Sequence, residues 1–275
     1  MYEELDKLEN SQEEIAHLEM PELGDFSVAE MVASHHLQEE MTKDSWLVQW
    51  GKLTSGIGYI QVKTMWLYAD LDIPEDLIDS IGFVDAFIET KHKLYEGQYI
   101  EQEVQGVREL MNRVMKDLSN MKSIVIDVRF NGGGQDAVSF EILSRFSIQK
   151  QQVAKQKFRY GNTFSKEVPI YIREVKDGFI KPVYVLTSPQ TGSAAETFSL
   201  GSMTLFNVKR IGASTMGATS TTLDKTLPNG WSLSISNEIY MDNQGNCYEN
   251  IGVPVDYKLD YPQIDKTFLE VLLTI

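Results

Sequence analysis

Apolar positions along the chain fall into two rhythms. In the stretch from Val104 to Leu118, Val104, Val107, Leu110, Met111, Val114 and Leu118 recur at helical spacing and predict an amphipathic helix. The charged remainder of that stretch forms a solvated face, and Asp85–Lys93 predicts a further helix. Other apolar runs are short and continuous. Ser123–Val128 and Val183–Leu186 predict buried strands, and Gly58–Val62 and Val208–Gly212 are strand-like through their β-branched and aromatic residues. Trp231–Met241 alternates as a strand and ends at the turn Asn243–Asn246. Gln149–Ile180 is a mixed polar insert with a strand-like piece at Val168–Arg173. Ahead of Trp46 the chain is acidic, with helix-favouring stretches at Glu3–Glu19 and Ser27–Met41 separated by Pro21 and Gly24.

Twice a short apolar strand runs into a glycine-rich turn and then a helix. Arg129-Phe130-Asn131-Gly132-Gly133-Gly134 precedes a helix expected from about Ala137 to Phe146. Thr187–Gly192 precedes one expected from Ser193 to about Phe206. Strands that are apolar throughout belong to a sheet covered on both faces, so the fold class is α/β. In such folds chemistry collects at the carboxyl ends of strands, where both turns lie. The expected organisation is an acidic helical N-terminal segment over residues 1–45 and a core over 46–275.

Composition narrows the function classes. The chain has 275 residues, 42% of them hydrophobic, which is enough for a sizeable core. A formal net charge of −15 argues against nucleic acid and anionic membrane surfaces as partners. No apolar run is long enough for a membrane span, and no signal-peptide pattern opens the chain, so the compartment stays open between cytosolic and extracytoplasmic with an export segment removed. The single cysteine, Cys247, lies in a polar turn and is a poor nucleophile candidate.

Candidate chemistry concentrates at Ser193. A serine among small residues at a strand-to-helix turn presents an exposed hydroxyl beside the free N–H groups of a helix start, which suits a nucleophile with oxyanion donors. The competing reading is a capping box, with Glu196 three residues on. Gly132–Gly134 lets backbone N–H groups approach a ligand; a dinucleotide fingerprint fails because position 137 is Ala137. Gly212–Thr219 is spaced as a phosphate loop, but Ala218 stands where the lysine belongs, which rejects nucleotide hydrolysis. The histidines are His17, His35, His36 and His92; the adjacent pair in Ser34-His35-His36 lacks the spacing of a helical metal site, and no metal constellation or cofactor motif stands out.

Four motifs occur in order: Ile126–Gly134, Thr187–Glu196, Ile211–Gly217 and Tyr248–Asp256. Together, with Gly56–Ile60 as a first core strand, they resemble the catalytic core of the carboxy-terminal processing (tail-specific) serine peptidases over roughly residues 55 to 260. The resemblance implies a crotonase/ClpP-like core of stacked ββα units. It implies Ser193 as nucleophile and an oxyanion hole from the N–H groups of Gly133 and Ala194. Gly132, Gly134, Gly192 and Gly217 would frame the substrate groove. The Ser–Lys branch would place its lysine at Ala218, and Lys225 is seven residues further on. The sequence is closer to the branch of the tricorn core and retinoid-binding modules, in which a glutamate, matched here by Glu249, supports a histidine base. His35, beside Ser34, is the candidate for that histidine.

The leading expectation is a serine endopeptidase acting on unstructured or carboxy-terminal peptide, needing no cofactor or metal, with a homo-oligomer left open. The alternative is a non-catalytic module binding peptide or apolar ligand on the same fold, its base missing. A crotonase-type acyl-CoA enzyme shares the oxyanion logic but has no use for the serine motif.

Overall fold

The computed structural model describes residues 26–54, 56–94 and 96–259; the expected helix Glu3–Glu19, with His17, lies outside them. The elements in order are α1 (Phe26–His36), β1 (Glu39–Glu40), β2 (Val48–Thr54), β3 (Ile57–Val62), α2 (Glu75–Ile81), α3 (Phe83–Lys91), α4 (Glu96–Asp117), β4 (Ser123–Asp127) and α5 (Asp136–Ser144). They continue with β5 (Gln151–Tyr160), β6 (Thr163–Phe164), β7 (Val168–Ile172), β8 (Val183–Thr187), α6 (Ala194–Ser202), β9 (Val208–Gly212), β10 (Thr222–Thr226), β11 (Ser232–Ser236), β12 (Glu238–Met241) and β13 (Tyr257–Lys258).

The main sheet has seven strands in the order β1-β2-β3-β4-β8-β9-β13. The β1-β2-β3 edge is antiparallel, and from β3 to β13 all pairings are parallel. The strands lack polar alternation because helices cover both faces. Ile60, Ile124, Ile126, Val183 and Val185 point to one face, where they meet Val107 and Met111 of α4, Ile142 of α5 and Phe198 of α6. The intervening Tyr59, Val125, Tyr184 and Leu186 point to the other face, where Ala33 of α1 packs. The α/β expectation holds, and the acidic segment before Trp46 contributes α1 to the core.

Two sequence readings needed tertiary context. The mixed insert forms a second, antiparallel sheet around the long strand β5, with β12 and β7 paired to it and β6 at its end. The single strand expected over Trp231–Met241 is two, β11 and β12, separated at Asn237, with β11 paired, among the described residues, only to β10.

α1 runs antiparallel to β3. Near its start, Ala29 O accepts Gln61 Nε2 at 2.7 Å and Glu30 pairs with Lys63; at its end, His36 lies edge-on to Tyr59 with ring centroids 6.1 Å apart. Its first turn therefore lies at the carboxyl edge of the sheet and its last turn at mid-strand.

Candidate active site

The two glycine-rich turns sit side by side at the carboxyl ends of β4 and β8 because their polar groups knit them together. Thr191 Oγ1 donates to Val128 O at 2.8 Å, Ser188 Oγ to Arg129 O at 2.5 Å, and Gly192 N–H to Asn131 O at 3.0 Å. Arg129 braces this corner: its guanidinium grips Asp127 at 2.6 Å on the α1 face, where Tyr59 Oη also donates to Asp127. Burial alone would raise the Asp127 carboxyl, but Arg129 holds it below the usual carboxylate range.

Ser193 closes the β8 turn with φ 50° and ψ −123°, a conformation non-glycine residues rarely adopt. Its neighbours Gly192 and Ala194 are buried, while Ser193 itself is exposed. The Ala194 N–H, first of α6, has no acceptor among the described residues. An exposed, strained serine ahead of a free helix N–H has the geometry of a nucleophile elbow.

The triple-glycine turn departs from expectation. Gly133 lies directly against the elbow: a Cβ added there would stand 2.5 Å from Ser193 Cβ and 3.0 Å from Ala194 N. Yet its N–H, expected as an oxyanion donor, donates to Asn131 Oδ1 at 2.9 Å, and its carbonyl accepts Met65 N–H at 2.8 Å. Asn131 is wholly buried and is itself fixed through Nδ2 to Val62 O. The next residue, Gly134, is exposed, and its N–H has no acceptor among the described residues. Gly132 is half-buried beside it.

Glu196 performs more than the capping-box half seen in the sequence. Its Oε2 accepts Ser193 N–H at 3.1 Å and Ala218 N–H at 2.7 Å, and its Oε1 accepts Thr215 Oγ1 and Gly217 N–H, both at 2.6 Å. Burial pushes its carboxyl above the ordinary glutamate range, against the lowering effect of these donors. Gly217 and Gly192 are thus buried and tied by their N–H groups within the turns rather than open to a groove. Glu249 shapes the next part of the loop: its Oε2 accepts Thr219 N–H and Oγ1 and Ser220 N–H at 2.8–2.9 Å, and its Oε1 has no partner among the described residues.

His35 is not brought to Ser193. It lies near the end of α1, at mid-strand on the sheet face opposite α6, beside His36, whose Nε2 meets Arg129 Nη2 at 3.2 Å. The Ser193 hydroxyl has no hydrogen bond to any histidine or lysine among the described residues. The adjacency of Ser34 and His35 was the signal for this pairing, and helix direction removes it.

Beside the glycine turn opens a cavity of about 370 Å³ lined by Phe26, Lys63, Trp66, Leu67 and Val84 together with Gly132–Gly134. No sequence pattern marked these residues, which come from α1, α3 and the segment after β3. The backbone N–H groups of Leu67 and Tyr68 in that segment are held at 3.0 and 2.8 Å by the buried carboxylate of Glu103 on α4.

The profile of Peptidase family S41 matches residues 56–259. No curated protein matches the sequence. Among solved structures, a protein from Parabacteroides merdae assigned as a peptidase aligns at TM-score 0.66 and 19% identity, over 90% of this chain and 69% of its own. A lipoprotein from Streptococcus agalactiae aligns at TM-score 0.53 and 19% identity, over 90% and 74%. Mature CPAF aligns at TM-score 0.57 and 15% identity, over 82% and 51%. These similarities place the fold, and the profile match covers both glycine turns, the Ser193 elbow and Glu249. The chain belongs to peptidase family S41 and is a serine peptidase.

Proposed function

We propose that this peptidase cleaves unstructured or carboxy-terminal segments of polypeptide through an acyl-enzyme on Ser193. The observation that carries the reading is the pairing of the exposed, strained Ser193 with two open N–H groups, those of Ala194 and Gly134. Ser193 Oγ attacks the scissile carbonyl and its proton passes to a base. The carbonyl electron pair moves onto an oxygen held by the Ala194 and Gly134 N–H groups, the second donor being Gly134 because Asn131 holds that of Gly133. The C–N bond then breaks, the amine leaves with the proton, and water hydrolyses the ester by the same steps. Glu249 supports the base: its open Oε1 lies on a carboxylate already fixed through Oε2. The apolar cavity beside Gly134 fits an apolar substrate side chain.

The test compares wild type and Ser193→Ala on an unfolded polypeptide with a free apolar C-terminus, with EDTA present. Cleavage by wild type alone is expected. His35→Ala should cleave within about twofold of wild type, since its ring lies across the sheet from the elbow; His17→Ala, His36→Ala and His92→Ala complete the search for a histidine base. No cleavage by wild type, with the protein folded, favours a binding module instead.

A further inference from the structure

We infer that Glu103 is a positioning residue for the oxyanion side of the site: from α4 its carboxylate fixes residues 64–68, and that segment seats Gly134. The inference rests on the peptidase reading, with Gly134 as a donor, and adds the residue that aims it. Glu103 is wholly buried. Its two oxygens take the consecutive N–H groups of Leu67 and Tyr68, one each, at 3.0 and 2.8 Å. Those N–H groups converge because Leu67 turns the chain with φ 75°, in the left-handed region that a branched apolar residue rarely enters. Such a turn persists where its surroundings hold it, and the carboxylate supplies that hold. Gly106, three positions on and on the same face of α4, lets the helix lie directly on the segment: a Cβ there would overlap Tyr68 O. Burial raises the Glu103 carboxyl, while Tyr99, the two N–H groups and Lys91 of α3 draw it back down.

The other end of the segment is built into the glycine turn. Met65 N–H donates to Gly133 O and Met65 O accepts Gln135 N–H, both at 2.8 Å, so Met65 runs alongside Gly134 as a parallel bridge. Thr64 Oγ1 donates to Gly133 O as well, and Thr64 O accepts Tyr68 Oη at 2.9 Å, which ties the two ends of the segment together. A Cβ on Gly134 would stand 2.5 Å from Met65 C and 2.8 Å from Trp66 N, so no slack separates the two backbones. The Gly134 N–H has no acceptor among the described residues. Its direction is set by where Met65 and Trp66 lie, and theirs by the anchor on the next two residues. When the anchor loosens, Leu67 relaxes toward ordinary φ and Gly134 turns with Met65. An oxyanion donor acts through its preset direction, so the loss falls on the transition state.

The test compares full-length wild type with Glu103→Gln, which sets an amide NH₂ against one of the two N–H groups. Rates on an apolar-tailed peptide are read at a temperature where circular dichroism shows both proteins folded. Glu103→Gln is expected to lower kcat about tenfold, with KM, and peptide affinity by calorimetry in the Ser193→Ala background, within about twofold. A peptidyl trifluoromethyl ketone reads the donor directly: Ser193 Oγ adds to its carbonyl carbon, the hydroxyl proton passes to the base, and the carbonyl pair moves onto the oxygen facing Gly134. Its inhibition constant should weaken by the same factor as kcat. Should Glu103→Gln fail to fold, Glu103→Asp, which keeps the charge and withdraws it by one methylene, carries the same expectations. A folded variant with unchanged kcat, a rise in KM alone, or a fall in kcat with ketone inhibition unchanged overturns the inference. Without cleavage by wild type the peptidase reading falls, and the amide resonance of Gly134 decides. Moved by Glu103→Gln while that of Gly161 stays, it upholds the positioning; unmoved, it overturns it.

Discussion

Glu196 Oε2 accepts the backbone N–H of Ser193 at 3.1 Å, and through the same carboxylate Ser193 is joined to the N–H groups of Gly217 and Ala218, twenty-odd residues away. One buried anion thus sets the elbow against the loop that Glu249 holds further on. This arrangement makes Glu196 intolerant of change. Glu196→Gln keeps the shape but turns an NH₂ group toward donors, leaving at least one of them unmatched in a buried site. The expected loss is about 1–3 kcal/mol of stability by urea denaturation, with kcat falling more than KM rises. A variant as stable as wild type would show that water satisfies these donors.

The closeness of Gly133 to Ser193 gives a second expectation. A Cβ 2.5 Å from Ser193 Cβ cannot be accommodated, and φ +110° is itself unfavourable for alanine. Gly133→Ala therefore pushes the elbow aside. Misplacing a reacting group by about 1 Å can cost roughly 100-fold in rate, so kcat should fall by about that factor with a smaller change in KM. Gly161→Ala is the control: its φ is +59° with nothing within 4 Å of the added atom, and full activity is expected. Equal losses in both variants would assign the effect to backbone strain alone.

What the sequence disclosed follows from how local each feature is. β3, β4, β8 and the elbow were legible because apolar runs and the small residues around Ser193 are dictated within a few positions. β2 was not, although Val48 and Trp50 are fully buried, because Gly51 and Lys52 interrupt its pattern. β5 carries lysines and glutamines along its half-covered length, so neither period showed. In the site, Ser193, Ala194 and Glu249 were visible in motifs. The capture of the Gly133 N–H by Asn131 was not, since it depends on where the buried Asn131 side chain turns. Nor was the position of His35, which depends on the direction of α1 across the sheet.

Asp136 carries the last expectation, about pH. It opens α5 just after the glycine turn and ties three elements: Thr197 of α6 donates to Oδ1 and Tyr240 of β12 to Oδ2, both at 2.7 Å. Burial raises its carboxyl above the ordinary aspartate range, outweighing these two hydroxyls, and Glu238 nearby is raised by burial and by Asp136 itself. An acid whose folded value exceeds its unfolded value, about 3.9, favours the folded state below that value. The advantage is lost as pH rises through the folded value. Asp136→Asn cannot ionise, so it escapes this loss while an amide still reaches Thr197 and Tyr240. The difference in melting temperature, Asp136→Asn minus wild type, should therefore rise from pH 4 to pH 7. Scanning calorimetry at pH 4, 5, 6 and 7 measures it directly. A flat difference would mean that the two hydroxyl donors stabilise the carboxylate as fully as water does.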